Sequence, residues 1–158
     1  MKTKLLTFAF LLLALAGCSK NGDTITINTS YGAWEAETIN GTQSASVYLS
    51  IDHDFELDEY GERLIVGAPY ARINMIPISN GNLNGNYNIK KDDPSAPGDA
   101  DLYLCGYDES LGWMSSGTVA ISDGKIVCTA KSKGGKNVVI NFKGELKFAE
   151  YGIDEIPE

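Results

Sequence analysis

The chain has 158 residues, with 13 Lys plus Arg, 21 Asp plus Glu and a single His, for a net charge of −8. That excess of acid argues against nucleic acid as a partner, because binding to a phosphate backbone rests on Lys and Arg neutralising it. It argues equally against an electrostatic hold on anionic lipid.

Met1-Lys2-Thr3-Lys4 is a short basic segment, and Leu5 to Ala16 is an apolar run. The run is too short for a membrane-spanning helix, which takes about 20 residues, and it has the length and flanks of a secretory signal. Leu15-Ala16-Gly17-Cys18 closes it. Small side chains before the cysteine suit the narrow cleft of a signal peptidase, and a cysteine thiolate is a nucleophile strong enough to carry a diacylglycerol thioether. This pattern resembles the lipobox of bacterial lipoproteins. The resemblance implies that residues 1–17 are a signal peptide, that Cys18 is acylated with palmitate-like chains, and that residues 18–23 form a tether. Each buried CH₂ adds ~0.8 kcal/mol, so several chains on one residue make a stable membrane anchor. Ser19, rather than Asp, after the cysteine implies the outer membrane, with the periplasmic or surface side left open. Loss of the first 17 of 158 residues leaves 141, a length suited to one domain.

Beyond the tether no segment shows a helical period. Strand signals recur with turn residues between them, which predicts an all-β domain over residues 24–150, an antiparallel β-sandwich or a lipocalin-like barrel of about 8–10 strands. Thr24 to Asn28 alternates, with Ile25 and Ile27 on one face. Tyr31 to Glu37 is a strand carrying Trp34. From Ser44 to Asp52, Val47, Leu49 and Ile51 point one way, and Ser46, Tyr48 and Ser50 the other. Asp54 to Glu62 is an acidic loop. Leu64 to Val66 and Tyr70 to Ser79 are strands divided near Gly67 and Pro69, with Pro77 marking an edge or bulge. Asn80 to Asn86 turns, Tyr87 to Lys90 is a short strand, and Asp92 to Asp99 loops. Leu102 to Tyr107 is a strand, followed by a turn around Gly112 and Trp113.

Thr118 to Ile121, Ser122-Asp123-Gly124-Lys125 and Ile126 to Ala130 predict a hairpin, because Asp-Gly supplies the positive φ angles of a type I′ turn. That turn pairs Ile121 with Ile126 and Val119 with Cys128, all on one face. A second hairpin needs a five-residue loop from Ser132 to Lys136, pairing Ala130 with Val138, Cys128 with Ile140 and Ile126 with Phe142. A tight Gly134-Gly135 turn would flip the apolar set outward. Leu146 and Phe148 start a last strand, and residues 151–158 are expected to be a frayed tail.

Asn84-Gly85-Asn86-Tyr87-Asn88-Ile89, Ser116-Gly117-Thr118-Val119-Ala120-Ile121, Gly124-Lys125-Ile126-Val127 and Val138 to Leu146 follow one another in order. The series is similar to small secreted lipoproteins of Bacteroidetes-type bacteria. The likeness spans residues 84–148 and implies a β-sandwich or barrel-like fold. It carries over no catalytic set.

Cys105 and Cys128 fall in strand-like segments, and an exported protein permits a disulfide between them. The alternative is two buried thiols acting as small hydrophobes. His53 stands between Asp52 and Asp54 with no nucleophile elbow in the sequence, so no serine hydrolase is expected. Asp52, Asp54, Glu56 and Asp58 alternate through a loop in the manner of calcium ligands, though Leu57 stands where an EF-hand needs glycine. Otherwise no cofactor is implied. Trp34, Trp113, Tyr48 and Tyr70 are the candidate ligand-binding aromatics, since flat apolar rings stack on sugars. The expected function is a lipid-anchored, non-enzymatic envelope domain that binds a glycan or a protein. A structural or assembly accessory of the envelope is the alternative, and a small hydrolase the remote one.

Overall fold

Both C-terminal hairpins form in the registers that their apolar patterns require. In the computed structural model, which describes residues 24–156, Ile121 faces Ile126 and Val119 faces Cys128. Asp123 and Gly124 between them have φ of 46° and 76°. Across the next turn Ala130 faces Val138, Cys128 faces Ile140 and Ile126 faces Phe142. The loop between them has five residues, closed by Ser132 N–H donating to the Lys136 carbonyl at 2.9 Å. The expected signal peptide, the expected lipidation site Cys18 and the expected tether lie outside the described residues.

The strands are β1 (Thr24–Thr29), β2 (Tyr31–Ile39), β3 (Thr42–Ser50), β4 (Glu56–Leu57), β5 (Leu64–Gly67), β6 (Tyr70–Met75) and β7 (Gly85–Ile89). They continue with β8 (Asp99–Cys105), β9 (Met114–Ser122), β10 (Lys125–Ser132), β11 (Asn137–Lys143), β12 (Lys147–Phe148) and β13 (Ile153–Ile156). Ten strands make one sheet in the order β1-β11-β10-β9-β7-β8-β6-β3-β2-β12. Most neighbours are antiparallel, but β1–β11, β7–β8 and β12–β2 are parallel. Only Ser30 separates β1 from β2, although the two lie near opposite ends of that order. The sheet therefore curls until its ends are joined by the chain itself, as a long twisted sheet tends to do.

The concave side is filled by side chains. Val47, Leu49, Ile73, Leu102, Val119, Ile126 and Ile140 are all fully buried there. They come from alternate positions of neighbouring strands, so period two and register together build one core.

A smaller sheet, β13-β5-β4, forms a second layer. Phe55, Val66 and Ile153 pack there against Ala33, Tyr48 and Tyr70 of β2, β3 and β6. This corrects two expectations. Residues 153–156 are not a frayed tail: they pair in parallel with β5, Ile153 opposite Leu64 and Ile156 opposite Gly67. Nor is Tyr48 open to a ligand, as its place among the candidate binding aromatics requires: the second layer leaves it 3% exposed.

The two cysteines are free. Cys128 points into the curled sheet, whereas Cys105 packs on the second core outside it. Opposite faces of one sheet cannot be bridged, because a disulfide needs Cα atoms within about 7 Å and converging Cβ vectors. Burial pushes the Cys128 thiol up to about 12, far from the thiolate that reacts. A reductant should therefore leave the melting point unchanged, and a maleimide should label Cys128 only after unfolding. Rapid native labelling of Cys128, followed by mass spectrometry, would contradict this placement.

Candidate functional site

Register across β3, β6 and β8 sorts the outer face into rows. Tyr48 faces Arg72, Arg72 faces Tyr103, and Tyr103 bridges to Trp113 just before β9. The adjacent row is Ser46, Asn74 and Asp101. The second layer covers Tyr48 and leaves Trp113 37% exposed. The row thus runs from a buried phenol to an open indole.

Trp113 is set by its neighbours. The β9–β10 register shifts at Lys131/Ser132, an irregularity of the kind that re-aims side chains. Lys133 N–H donates to the Trp113 carbonyl at 3.0 Å. The Tyr103 and Trp113 rings lie 4.8 Å apart, tilted by 44°, within the range where aromatic pairs attract. The Arg72 guanidinium carbon lies 5.8 Å from the Tyr103 centroid and 6.0 Å from that of Trp113. The Lys133 ammonium is 5.7 Å from the indole centroid. These are cation–π distances.

An open depression of about 480 Å³ is lined by Tyr103, Tyr107, Asp108, Glu109, Trp113 and Lys133. Gly134 lets its walls close: a Cβ there would stand 2.8 Å from the Ser110 carbonyl. Beyond the Trp113 edge a second depression of about 270 Å³ is lined by Lys91, Asp92, Asp93 and again Trp113 and Lys133.

In the adjacent row, Ser46 Oγ donates to Asn74 Oδ1 and Asn74 Nδ2 donates to Asp101 Oδ1, each at 3.0 Å. Asp101 is 4% exposed. Burial raises its pKa, against the lowering pull of Asn74.

The covered end of the first row is a closed polar network. Glu155 on β13 accepts from Arg72 at 2.6 Å, from Tyr48 at 3.2 Å, and from Tyr70. Glu35 accepts from the Tyr48 hydroxyl at 3.3 Å and from Ile153 N–H at 2.8 Å. Arg72 Nε, also buried, has no partner among the described residues. Burial pushes the Tyr48 and Tyr70 hydroxyls up, and the neighbouring carboxylates add to that.

Of the four expected aromatics, only Trp113 joins an open site. Tyr48 and Tyr70 do share a face, 6.1 Å apart, but they are 3% and 2% exposed and bind the protein's own carboxylates. Trp34 is half-buried against Phe148 of β12, at 4.7 Å. Tyr103 carries no signal in the sequence. Its part in the site is positional, because only the register of β8 against β6 sets it beside Arg72 and Trp113.

Two carboxylates of the acidic loop already have partners in the protein. Asp54 accepts from Lys147 Nζ at 2.8 Å, and Asp58 accepts from the backbone N–H of Tyr60 and Glu62 at 3.1 and 2.8 Å. Asp52, His53, Asp54 and Glu56 rim a shallow depression of about 350 Å³. Among the described residues no three His, Cys, Asp or Glu side chains are gathered to hold a metal.

The fold is thus an all-β, curled ten-stranded sheet with a three-stranded second layer, bearing an aromatic pair on its convex side. Compared with models of known protein families, with curated proteins and with solved structures, the chain matches none.

Proposed function

We propose that this protein is a non-enzymatic glycan-binding domain of the bacterial cell envelope, anchored in the outer membrane by acyl chains on Cys18. The observation that carries the reading is the Tyr103–Trp113 pair: an exposed indole braced by a phenol, with Asp108, Glu109 and Lys133 lining the open depression beside it. A sugar ring offers one apolar face and a polar rim, and this arrangement offers an aromatic surface with hydrogen-bonding groups beside it. A binder is favoured over a hydrolase because Asp101, the buried carboxyl nearest in register, is bonded to Asn74 beneath the surface.

Two experiments test this. A thermal-shift screen of the chain from Ser19 onward against envelope, host and plant glycans, with calcium and with chelator, should show a ligand-dependent rise, since anything binding only the folded state stabilises it. Trp113→Ala should weaken that binding about tenfold or more, equivalent to ~1.4 kcal/mol. No rise with any glycan would sink the sugar reading, and a rise with calcium alone would assign the acidic loop instead. Labelled palmitate should enter the full chain and be lost in Cys18→Ala, and equal labelling of both would remove the anchor.

A further inference from the structure

Trp113 and Lys133 line both depressions on the convex face. The indole is therefore a ridge between two wells and not the floor of one pocket. Resting on the glycan-binding role proposed above, we propose that the site takes a run of three uncharged sugar units, the middle one stacked on Trp113 and one in each flanking depression, and discriminates against acidic glycans. A single ring stacked on such a ridge leaves both wells empty, while the next unit along a chain descends into one of them.

The charges select the sugar. The two wells together carry four carboxylates, Asp92 and Asp93 on one side and Asp108 and Glu109 on the other, against the ammonium groups of Lys91 and Lys133. Arg72, behind the rings, is already held by Glu155 at 2.6 Å. The excess of carboxylate lies in the well of Asp108 and Glu109, where Lys133 is the one ammonium, while Lys91 and Lys133 balance Asp92 and Asp93 in the other. An acidic sugar thus gains no net counter-charge in either, within a chain whose net charge is already −8. Like-charge juxtaposition is how a site rejects wrong partners. Neutral hydroxyls suit the same groups, because a carboxylate only accepts and an ammonium only donates, while a hydroxyl does both. Asp108 is held in place by its own loop: it accepts from Ser110 N–H at 2.9 Å and from the Ser110 hydroxyl at 2.5 Å, both on the one oxygen Oδ1.

Calorimetry on the chain from Ser19 onward tests the inference, with neutral gluco-, manno- and xylo-oligosaccharides of one to six units against oligogalacturonates of the same lengths. One neutral series should gain at least tenfold in affinity between one unit and three and then level off. Oligogalacturonates should bind at least tenfold more weakly than that series. The neutral affinity should barely respond to added salt, which screens charge–charge attraction. Asp93→Lys, which reverses one charge in the well lined by Lys91, Asp92 and Asp93, should narrow the gap between the oligogalacturonates and the neutral series at least threefold, and an unchanged gap would overturn the charge selection. Oligogalacturonates binding as tightly as the neutral chains, or affinity independent of length, would overturn the proposal while leaving a glycan-binding protein. Silence toward both series and toward the wider glycan screen would overturn both readings together.

Discussion

Gly117→Ala should cost about 2–6 kcal/mol of folding stability. Gly117 sits in β9 with φ of 144°, and a Cβ there would stand 2.2 Å from the Thr129 carbonyl oxygen and 2.6 Å from the Ala130 Cα. Both are backbone atoms of β10, where Ala130 pairs with Gly117 and Thr129 with Thr118, so neither can rotate away. Ile89 of β7 is its partner on the other side, so β9 cannot retreat without opening a second pairing. Two costs combine: about 1–3 kcal/mol for a side chain in sparsely populated backbone space and about 1–3 for overpacking. Against a typical total of about 5–15 kcal/mol, the variant is marginal. Urea unfolding should show a lower midpoint at an unchanged slope. Gly67→Ala is the control, because a Cβ there meets nothing within 4 Å, and it should shift the midpoint little. A Gly117→Ala loss below about 1 kcal/mol would mean that β9 and β10 do not approach this closely.

Local chemistry makes part of this fold readable and hides the rest. The β9–β10–β11 region is legible because turn and period agree. Asp123-Gly124 allows one register, and that register puts Ile121, Ile126, Val119 and Cys128 on one side. The next loop length follows from refusing to turn Val138, Ile140 and Phe142 outward. Asn40-Gly41 is an equally strong turn, with φ of 51° and 80°, but Thr38, Thr42 and Gln43 beside it give no apolar alternation. The strands expected from Tyr31 to Glu37 and from Ser44 onward therefore stop short of the turn that β2 and β3 share. The second layer is invisible for a different reason. β4 has two residues and β13 four, with Asp154 and Glu155 at the centre of β13. A segment so short and acidic shows no period, and its pairing partner β5 lies far back in the chain. Alternation along β3 tells which way Tyr48 points. It cannot tell whether that side meets water, because the cover arrives from the C-terminus. The disulfide fails on the same ground, since Cys105 and Cys128 both read as strand residues and only the sheet shows that they face apart. For the site, the Gly112-Trp113 turn announces an exposed indole, while Tyr103 has no signal until β8 is placed beside β6.

The residue that ties the second layer to the site is Glu155, and its loss should be felt in both. Glu155→Ala removes the acceptor for Arg72, Tyr48 and Tyr70 together. Arg72, whose Nε already lacks a partner among the described residues, is then left without its counter-charge under the ring pair. Breaking a fully buried pair costs about 3–5 kcal/mol. These side chains are 24% and 27% exposed, so solvent screening lowers the expected loss to about 2 kcal/mol. The pH dependence identifies the cause. Burial works to raise the Glu155 carboxyl, but hydrogen bonds from Tyr70 and Arg72 outweigh it and hold the group below its ordinary 4.5. A depressed carboxyl contributes stability that is present above the unfolded value and lost as pH falls through the folded one. Tyr48 and Tyr70 are raised above their ordinary 10.0 by burial, so their contribution is present below 10.0 and lost as pH rises beyond it. The wild type should therefore hold a plateau between those limits, and the difference between it and Glu155→Gln should shrink as pH falls below 4.5. A difference that stays constant into acid would mean that Glu155 acts by shape and not by charge. Because Arg72 braces Tyr103 and Trp113 from behind, Glu155→Gln should also weaken glycan binding, although Glu155 touches no sugar. Full affinity in a Glu155→Gln protein that remains folded would show that the aromatic pair holds itself, and that the last strand serves stability alone.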